Sequence, residues 1–151
     1  MTPLQMAWMA ARLASRGQTP TPHLWKNKPL WQPNKPALHI SSDDWRLIHR
    51  AMRDVVRRGT AAWVEYAPIE MAGKTGTAQN PHGEDHSLFI AFAPVSNPKI
   101  ALAVVVENGG FGSSIAAPIA SLVVEKYLTD TITRPALEHY CRTYQPKEKT
   151  P

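Results

Sequence analysis

Cysteine is nearly absent: one residue, Cys141, in a chain of 151. That excludes an intrachain disulfide and any zinc site built from several thiolates. Long apolar runs are missing too, since no uncharged stretch reaches the ~18 residues a membrane-spanning helix needs. The amino end has no basic leader, and Arg12 interrupts its apolar stretch, so it does not read as a signal peptide. Any membrane anchor or export signal is expected to lie outside this chain. Charged residues make up only 19% against 43% apolar, a mix that excludes wholesale disorder and leaves enough material for a core. Proline is the plentiful residue: fourteen of them, about twice the average share, predict irregular connections.

The net charge of +5 is unevenly spread. Residues 1–63 hold ten Lys/Arg and three Asp/Glu, residues 64–151 seven and nine, and all five tryptophans lie in the first part. Such an imbalance suits either a polyanion partner or the basic outer face of one helix. Arg46, Arg50, Arg53 and Arg57 recur at helical spacing beside an apolar stripe of Trp45, Ile48, Met52 and Val55. With no base-reading motif nearby, the solvated helix face is the favoured reading, and no nucleic-acid partner is expected.

The periodicity predicts a helix over 2–16, with Thr2 as N-cap, Pro3 at its first position and Gly17 as its stop. Residues 17–40 hold five prolines and read as an extended crossing whose Leu24, Trp25 and Trp31 pin it to the core. A second helix spans about 42–58, capped by Ser41 or Ser42 and ended by Gly59. From Ala67 the period becomes that of strands: Ile69–Ala78, Ser87–Pro94 and Ile100–Val106, the last two joined as a hairpin. The unbroken apolar run of the third strand suits cover on both faces. A loop at 108–112 leads to a third helix, capped by Ser113 or Ser114 and running to about Leu128. Residues 131–151 show no clear period and are expected to fray. The fold class is therefore α+β, with antiparallel strands flanked by helices.

One segment carries chemistry: Ala72-Gly73-Lys74-Thr75-Gly76-Thr77-Ala78-Gln79. On a strand Lys74 and Gly76 share one face and Thr75 and Thr77 the other. Twist at a sheet edge brings the ammonium and a threonine hydroxyl to one rim, while Gly76 permits close approach. That combination suits gripping a carboxylate while backbone N–H groups face a developing oxyanion. K-T-G alone, three residues long, would favour an ordinary edge strand with a solvated lysine.

The surrounding segments favour the first reading. Thr2-Pro3-Leu4-Gln5-Met6-Ala7, Gly59-Thr60-Ala61, the Gly73–Gln79 motif, Phe89-Ile90-Ala91-Phe92-Ala93-Pro94 and Val106-Glu107-Asn108-Gly109-Gly110 occur in an order that resembles the penicillin-binding proteins. The Ala78-Gln79 extension and the asparagine-diglycine loop look most like class B enzymes of the penicillin-binding protein 2 type. A serine β-lactamase shares K-T-G but fits these extensions less well. The resemblance implies a partial β-lactamase/transpeptidase-like fold over residues 1–130 and a D,D-transpeptidase activity that cross-links peptidoglycan stem peptides. It implies catalytic roles for Lys74, in the proton-relay network, and for Thr77, whose N–H supplies half of an oxyanion hole. It implies that Thr75, Gly76 and Thr77 bind the substrate, the threonine hydroxyls holding the carboxylate of a D-Ala-D-Ala stem peptide or a β-lactam. No cofactor and no metal are expected. The parent protein would sit in the inner membrane with a periplasmic catalytic domain.

The nucleophile of such a site belongs at a helix start, with its lysine one turn later. The only S-x-x-K, Ser96-Asn97-Pro98-Lys99, falls in the predicted hairpin turn, and neither S-x-N nor Y-x-N occurs. The chain is thus expected to be the carboxy-terminal part of a transpeptidase domain, inactive alone and lacking an amino-terminal half as partner. The alternative is a non-catalytic interaction module or one half of a split enzyme. His82, Glu84, Asp85 and His86 read as a polar loop before a metal site; Gly110-Phe111-Gly112 reads as a loop-to-helix join before a phosphate loop; Cys141 reads as incidental.

Overall fold

The computed structural model describes residues 1–19, 21–23 and 39–146. Its elements are α1 (Pro3–Ala14), α2 (Ser42–Arg57), a 3-10 turn (Ala62–Val64), β1 (Ala72–Ala78), β2 (His86–Ala93), β3 (Ile100–Val106), α3 (Ala116–Thr129) and α4 (Pro135–Thr143). The expected pinning by Leu24, Trp25 and Trp31 lies outside the described residues. No helix among the described residues is long and apolar enough to cross a membrane.

Local chemistry explains most of these boundaries. Thr2 and Gln5 form a reciprocal capping box: the Gln5 amide donates to the Thr2 hydroxyl and the Thr2 amide to the Gln5 side-chain carbonyl. Gly17, at a φ of 86°, takes the left-handed turn after α1. Ser41 caps α2 by accepting from the Asp44 amide.

The sheet is antiparallel in the order β1-β2-β3, with Thr75 opposite Phe89 and Phe89 opposite Val104. Opposed residues share a face, so the alternation sorts the apolar side chains into two cores. One face carries Phe89, Ala91 and Ala93 against Ala116, Ala117, Ala120 and Val124 of α3. The other carries Ile90 and Phe92 against Met6, Ala10 and Ala14 of α1. Helix α2 serves both, through Val56 on the first side and Met52 on the second. The continuous apolar run of β3 is matched by cover from α3 on one face and α1 on the other.

Four expectations are corrected. The first strand starts at Ala72, because Ile69 closes a turn by donating its amide to the Tyr66 carbonyl. The buried stripe of α2 runs through His49, Met52 and Val56, with Val55 only half-buried. His49 is paid for by a polar partner, its Nε2 lying 2.7 Å from the Leu13 carbonyl. Neither Ser113 nor Ser114 caps α3; Ser87, reaching over from β2, accepts from the Ala116 amide at 3.2 Å.

The fourth concerns the tail expected to fray. Residues 131–146 fold back instead and contribute α4. Their anchor is Glu125 of α3, fully buried, which accepts from the Thr133 amide (2.7 Å), the Thr133 hydroxyl (2.6 Å) and Arg134 Nε (2.8 Å). The Arg134 guanidinium also donates to the Ser121 carbonyl and lies 4.5 Å from the Tyr66 ring centre. Burial pushes the Glu125 carboxyl up, but the Thr133 and Arg134 hydrogen bonds outweigh it and hold the group below its ordinary value.

Candidate active site

The motif segment occupies the whole of β1, at one edge of the sheet. Its position is set by packing. A Cβ on Gly73 would lie 2.3 Å from Phe89 Cζ, so only glycine lets that fully buried ring pass beneath the strand. At the other end the 109–112 loop presses on the strand, and a Cβ on Gly112 would lie 2.4 Å from the Gly76 carbonyl oxygen. The close approach expected at Gly76 is thus enforced by Gly112, since a Cβ on Gly76 itself would touch only Leu88 Cβ at 3.4 Å.

Lys74, Thr75, Gly76 and Thr77 come together on the outer rim. Lys74 and Thr77 are exposed, and among the described residues no strand pairs with the outer edge of β1. The Lys74 ammonium curls around that edge to donate to the Thr75 carbonyl (2.9 Å), with the Thr75 hydroxyl 3.5 Å away. The Thr75 hydroxyl also lies 3.1 Å from that of Thr60. Thr60 escaped the sequence reading as a site residue; its place beside the strand depends on the turn after α2, which nothing in its local spacing encodes. The rim therefore offers an ammonium, hydroxyls and unpaired strand N–H groups, a donor-rich surface suited to an anionic ligand.

A second layer holds the loop that presses on Gly76. Ser87, opposite Thr77, donates its hydroxyl to the Phe111 carbonyl at 2.8 Å while accepting from Ala116. Trp63 donates its indole N–H to the Ser113 carbonyl at 3.1 Å, and Asn80 donates to the Asn108 side chain at 2.8 Å.

The only S-x-x-K is elsewhere. Ser96–Lys99 connects β2 to β3 at the Ala93 end, whereas Thr77 sits opposite Ser87 at the other end, about 20 Å away along the strand. His86 accepts from the Asn108 amide, Asp85 accepts from the Asn80 amide, and no group of three or more possible metal ligands is gathered among the described residues. Burial raises the Cys141 thiol above its ordinary value, which disfavours the reactive thiolate. Among the arginines of α2, Arg53 is tied to Glu65 by two bonds of 2.8 and 2.5 Å and Arg46 pairs with Asp43; Arg58, at the helix's C-cap, pairs with Asp54. Of the four arginines on the basic face, Arg46 and Arg53 are thus paired, and Arg46, Arg50 and Arg57 are exposed, as a solvated helix face requires.

Comparisons with known proteins show the family and the fold. The family profile of the penicillin binding protein transpeptidase domain matches residues 1–125. The peptidoglycan D,D-transpeptidase MrdA of Acinetobacter baumannii is 35% identical over 84% of this chain and 22% of its own length. MrdA of Haemophilus influenzae is 34% identical over 97% of this chain and 26% of its own length. Among solved structures, Pseudomonas aeruginosa PBP2 in complex with WCK 5153 superposes with a TM-score of 0.76 at 41% identity, covering 86% of this chain and 31% of that one. An imipenem acyl-enzyme complex of penicillin-binding protein A from M. tuberculosis superposes with a TM-score of 0.73 at 30% identity, covering 85% and 31%. The chain spans about a quarter of the length of these curated relatives.

Proposed function

The chain belongs to the penicillin-binding protein transpeptidase family, of the class B, PBP2 type, and from that premise we propose that it supplies the carboxylate-binding and oxyanion side of a peptidoglycan D,D-transpeptidase site. The observation that carries this reading is the outer edge of β1, which no other described strand pairs and where the Lys74 ammonium and the Thr75 hydroxyl share one rim with exposed Thr77. In the complete reaction a serine hydroxyl attacks the D-Ala-D-Ala carbonyl, D-alanine leaves, and the acyl group passes to a stem-peptide amine. Lys74 belongs to the proton-relay network, Thr75 and Thr77 hold the terminal carboxylate, and the Thr77 N–H faces the oxyanion. Losing one oxyanion donor of this kind costs about 10²–10³ in kcat. The serine and its lysine come from a missing amino-terminal half of the enzyme, and the site works on the periplasmic side of the inner membrane.

Labelling with a fluorescent penicillin tests the reading. The chain alone takes no covalent label, because Ser96 and Lys99 lie at the wrong end of the sheet. A single polypeptide in which this chain replaces the matching stretch of the Acinetobacter baumannii relative is labelled, and Lys74→Ala in it slows labelling at least about a hundredfold. Covalent labelling of the chain alone, or a folded Lys74→Ala chimera labelled at the parental rate, overturns it.

A further inference from the structure

Across the 110–114 loop from Gly76 lies a second concavity, a cleft of about 440 Å³, within the size range of small-molecule sites. Two of its walls, Tyr140 and Tyr144, come from the folded tail, beyond the residues 1–125 that match the family. The others include Glu84 and Phe111, the latter 69% exposed. The loop is a shared partition: Gly112 packs on the Gly76 backbone while its neighbours Phe111 and Ser114 line the cleft.

Most of the polar groups that line the cleft are acceptors; the Ser114 hydroxyl and the Gln145 carboxamide can both donate and accept. Tyr140 donates its hydroxyl proton to the Ser114 carbonyl (2.9 Å), Tyr144 to the Gly109 carbonyl (3.0 Å) and Thr143 to the His139 carbonyl (2.9 Å). Burial raises the Tyr140 phenol above its ordinary value, so that proton stays in place. Each of these oxygens is left able only to accept. Glu84 is acceptor-only as a carboxylate, half-buried, and has no hydrogen-bond or ion-pair partner among the described residues. The carboxy-terminal, negative end of α4 opens here, at Thr143. The opposing positive end of α3 is already occupied, because the Ala116 amide donates to Ser87 and the Ala117 amide to the Gly112 carbonyl. Aromatic faces complete the wall and attract cations in their own right.

We infer that this acceptor-rich aromatic cleft binds a primary ammonium on an aliphatic stem, with Glu84 as its counter-ion. This deepens the transpeptidase reading, and rests on it only in identifying that ammonium with the amine of an acyl-acceptor stem peptide. The donor-rich rim at Lys74 and the acceptor-rich cleft behind Gly76 then sort the two substrates by charge, carboxylate to one and amine to the other.

The test is a titration of the full chain with Nα-acetyl-lysine amide, followed by amide chemical shifts. Saturable shifts confined to residues 84, 110–114 and 140–145 are expected, in the low-millimolar range. Glu84→Gln, with unchanged circular dichroism, weakens binding about tenfold. The Nα,Nε-diacetylated analogue, of similar shape and no charge, produces no such shifts, nor does a chitin trisaccharide. Shifts that do not saturate, an equal response to the neutral analogue or to the sugar, or unchanged affinity in Glu84→Gln overturns the inference. Phe111→Ala, at an exposed position, provides a second variant expected to weaken binding. The penicillin-labelling experiment reads Lys74 alone, so failure of either proposal is seen separately.

Discussion

Replacing Glu125 by glutamine alters the most completely enclosed charge among the described residues while preserving its shape. The carboxylate accepts three hydrogen bonds, two from Thr133 and one from Arg134, and its side chain is 0% exposed. Glutamine can keep its one carbonyl oxygen for Thr133, which turns its NH2 group toward Arg134. That guanidinium, itself only 17% exposed, loses its counter-ion in a place water barely reaches. Breaking one side of a buried pair costs about 3–5 kcal/mol, and the retained Thr133 bond puts Glu125→Gln at the lower end, about 3 kcal/mol. With a urea slope of about 2 kcal/mol/M, the unfolding midpoint falls by about 1.5 M. The double variant Glu125→Leu/Arg134→Met removes both charges and is expected to be less damaging than the two single changes summed, by at least about 1 kcal/mol.

The same pair gives a pH dependence whose sign is fixed. A carboxyl held below its ordinary value in the folded state binds protons less readily there than when unfolded. Its stabilisation is complete above the unfolded value and is lost as pH falls through the folded one. The wild-type midpoint therefore declines in acid, and Glu125→Gln shows a shallower decline over the same range. A midpoint shift below about 0.3 M urea at neutral pH, or acid profiles of equal slope, refutes the account of Glu125 as the tail's anchor.

Three further outcomes follow from the strand and its supports. Gly73→Ala forces a Cβ against the Phe89 ring and destabilises by about 1–3 kcal/mol in thermal unfolding, with partial recovery in Gly73→Ala/Phe89→Leu; an unshifted melting temperature contradicts the packing. Ser87→Ala strands the Ala116 amide and frees the Phe111 carbonyl, costing about 1–3 kcal/mol and speeding hydrogen exchange at residues 111–117, whereas unchanged exchange there removes Ser87 as the cap of α3. Arg53→Met lowers the melting temperature because its pair of hydrogen bonds to Glu65 is half-buried, while Arg58→Ala, at a solvent-exposed pair, leaves it unchanged; the reverse order contradicts the assignment.

The legible parts of the fold were those whose signal is local. Thr2, Pro3 and Gly17 bracket α1 within one residue at the start and two at the end, and the apolar run of Ile100–Val106 coincides with β3. The rim of Lys74, Thr75 and Thr77 was likewise readable, because period-two alternation and edge position follow from seven consecutive residues. Beyond the β2–β3 hairpin, what escaped was the side-chain contacts between distant residues. The cap of α3 comes from Ser87, twenty-nine residues before Ala116, so two serines at the right local position were chosen instead. The tail looked shapeless because α4 has only nine residues, none of them fully buried, and is held by Glu125, Ser114 and Gly109, reached through Arg134, Tyr140 and Tyr144. The arginine face of α2 is solvated as read at Arg46, Arg50 and Arg57, and only Arg53 is drawn in, by Glu65, which is not on that helix.

These long-range contacts converge on one mechanical result, the fixed position of the motif strand. Phe89 holds β1 from below at Gly73, and the Gly112 backbone holds the same face at Gly76, three residues on. Between them the strand is clamped through its backbone, so neither Lys74 nor Thr75 is needed for packing and both remain free to face a ligand. The upper clamp depends on Ser87, which fixes the loop, and the loop leans on Trp63, Tyr140 and Tyr144 through the Ser113, Ser114 and Gly109 carbonyls. A donor array held this way reorganises little when charge develops beside it, which is where electrostatic stabilisation draws its strength. The folded tail is therefore part of the support of the proposed site, and loosening it at Glu125 is expected to relax the strand edge without altering any residue of the proposed rim.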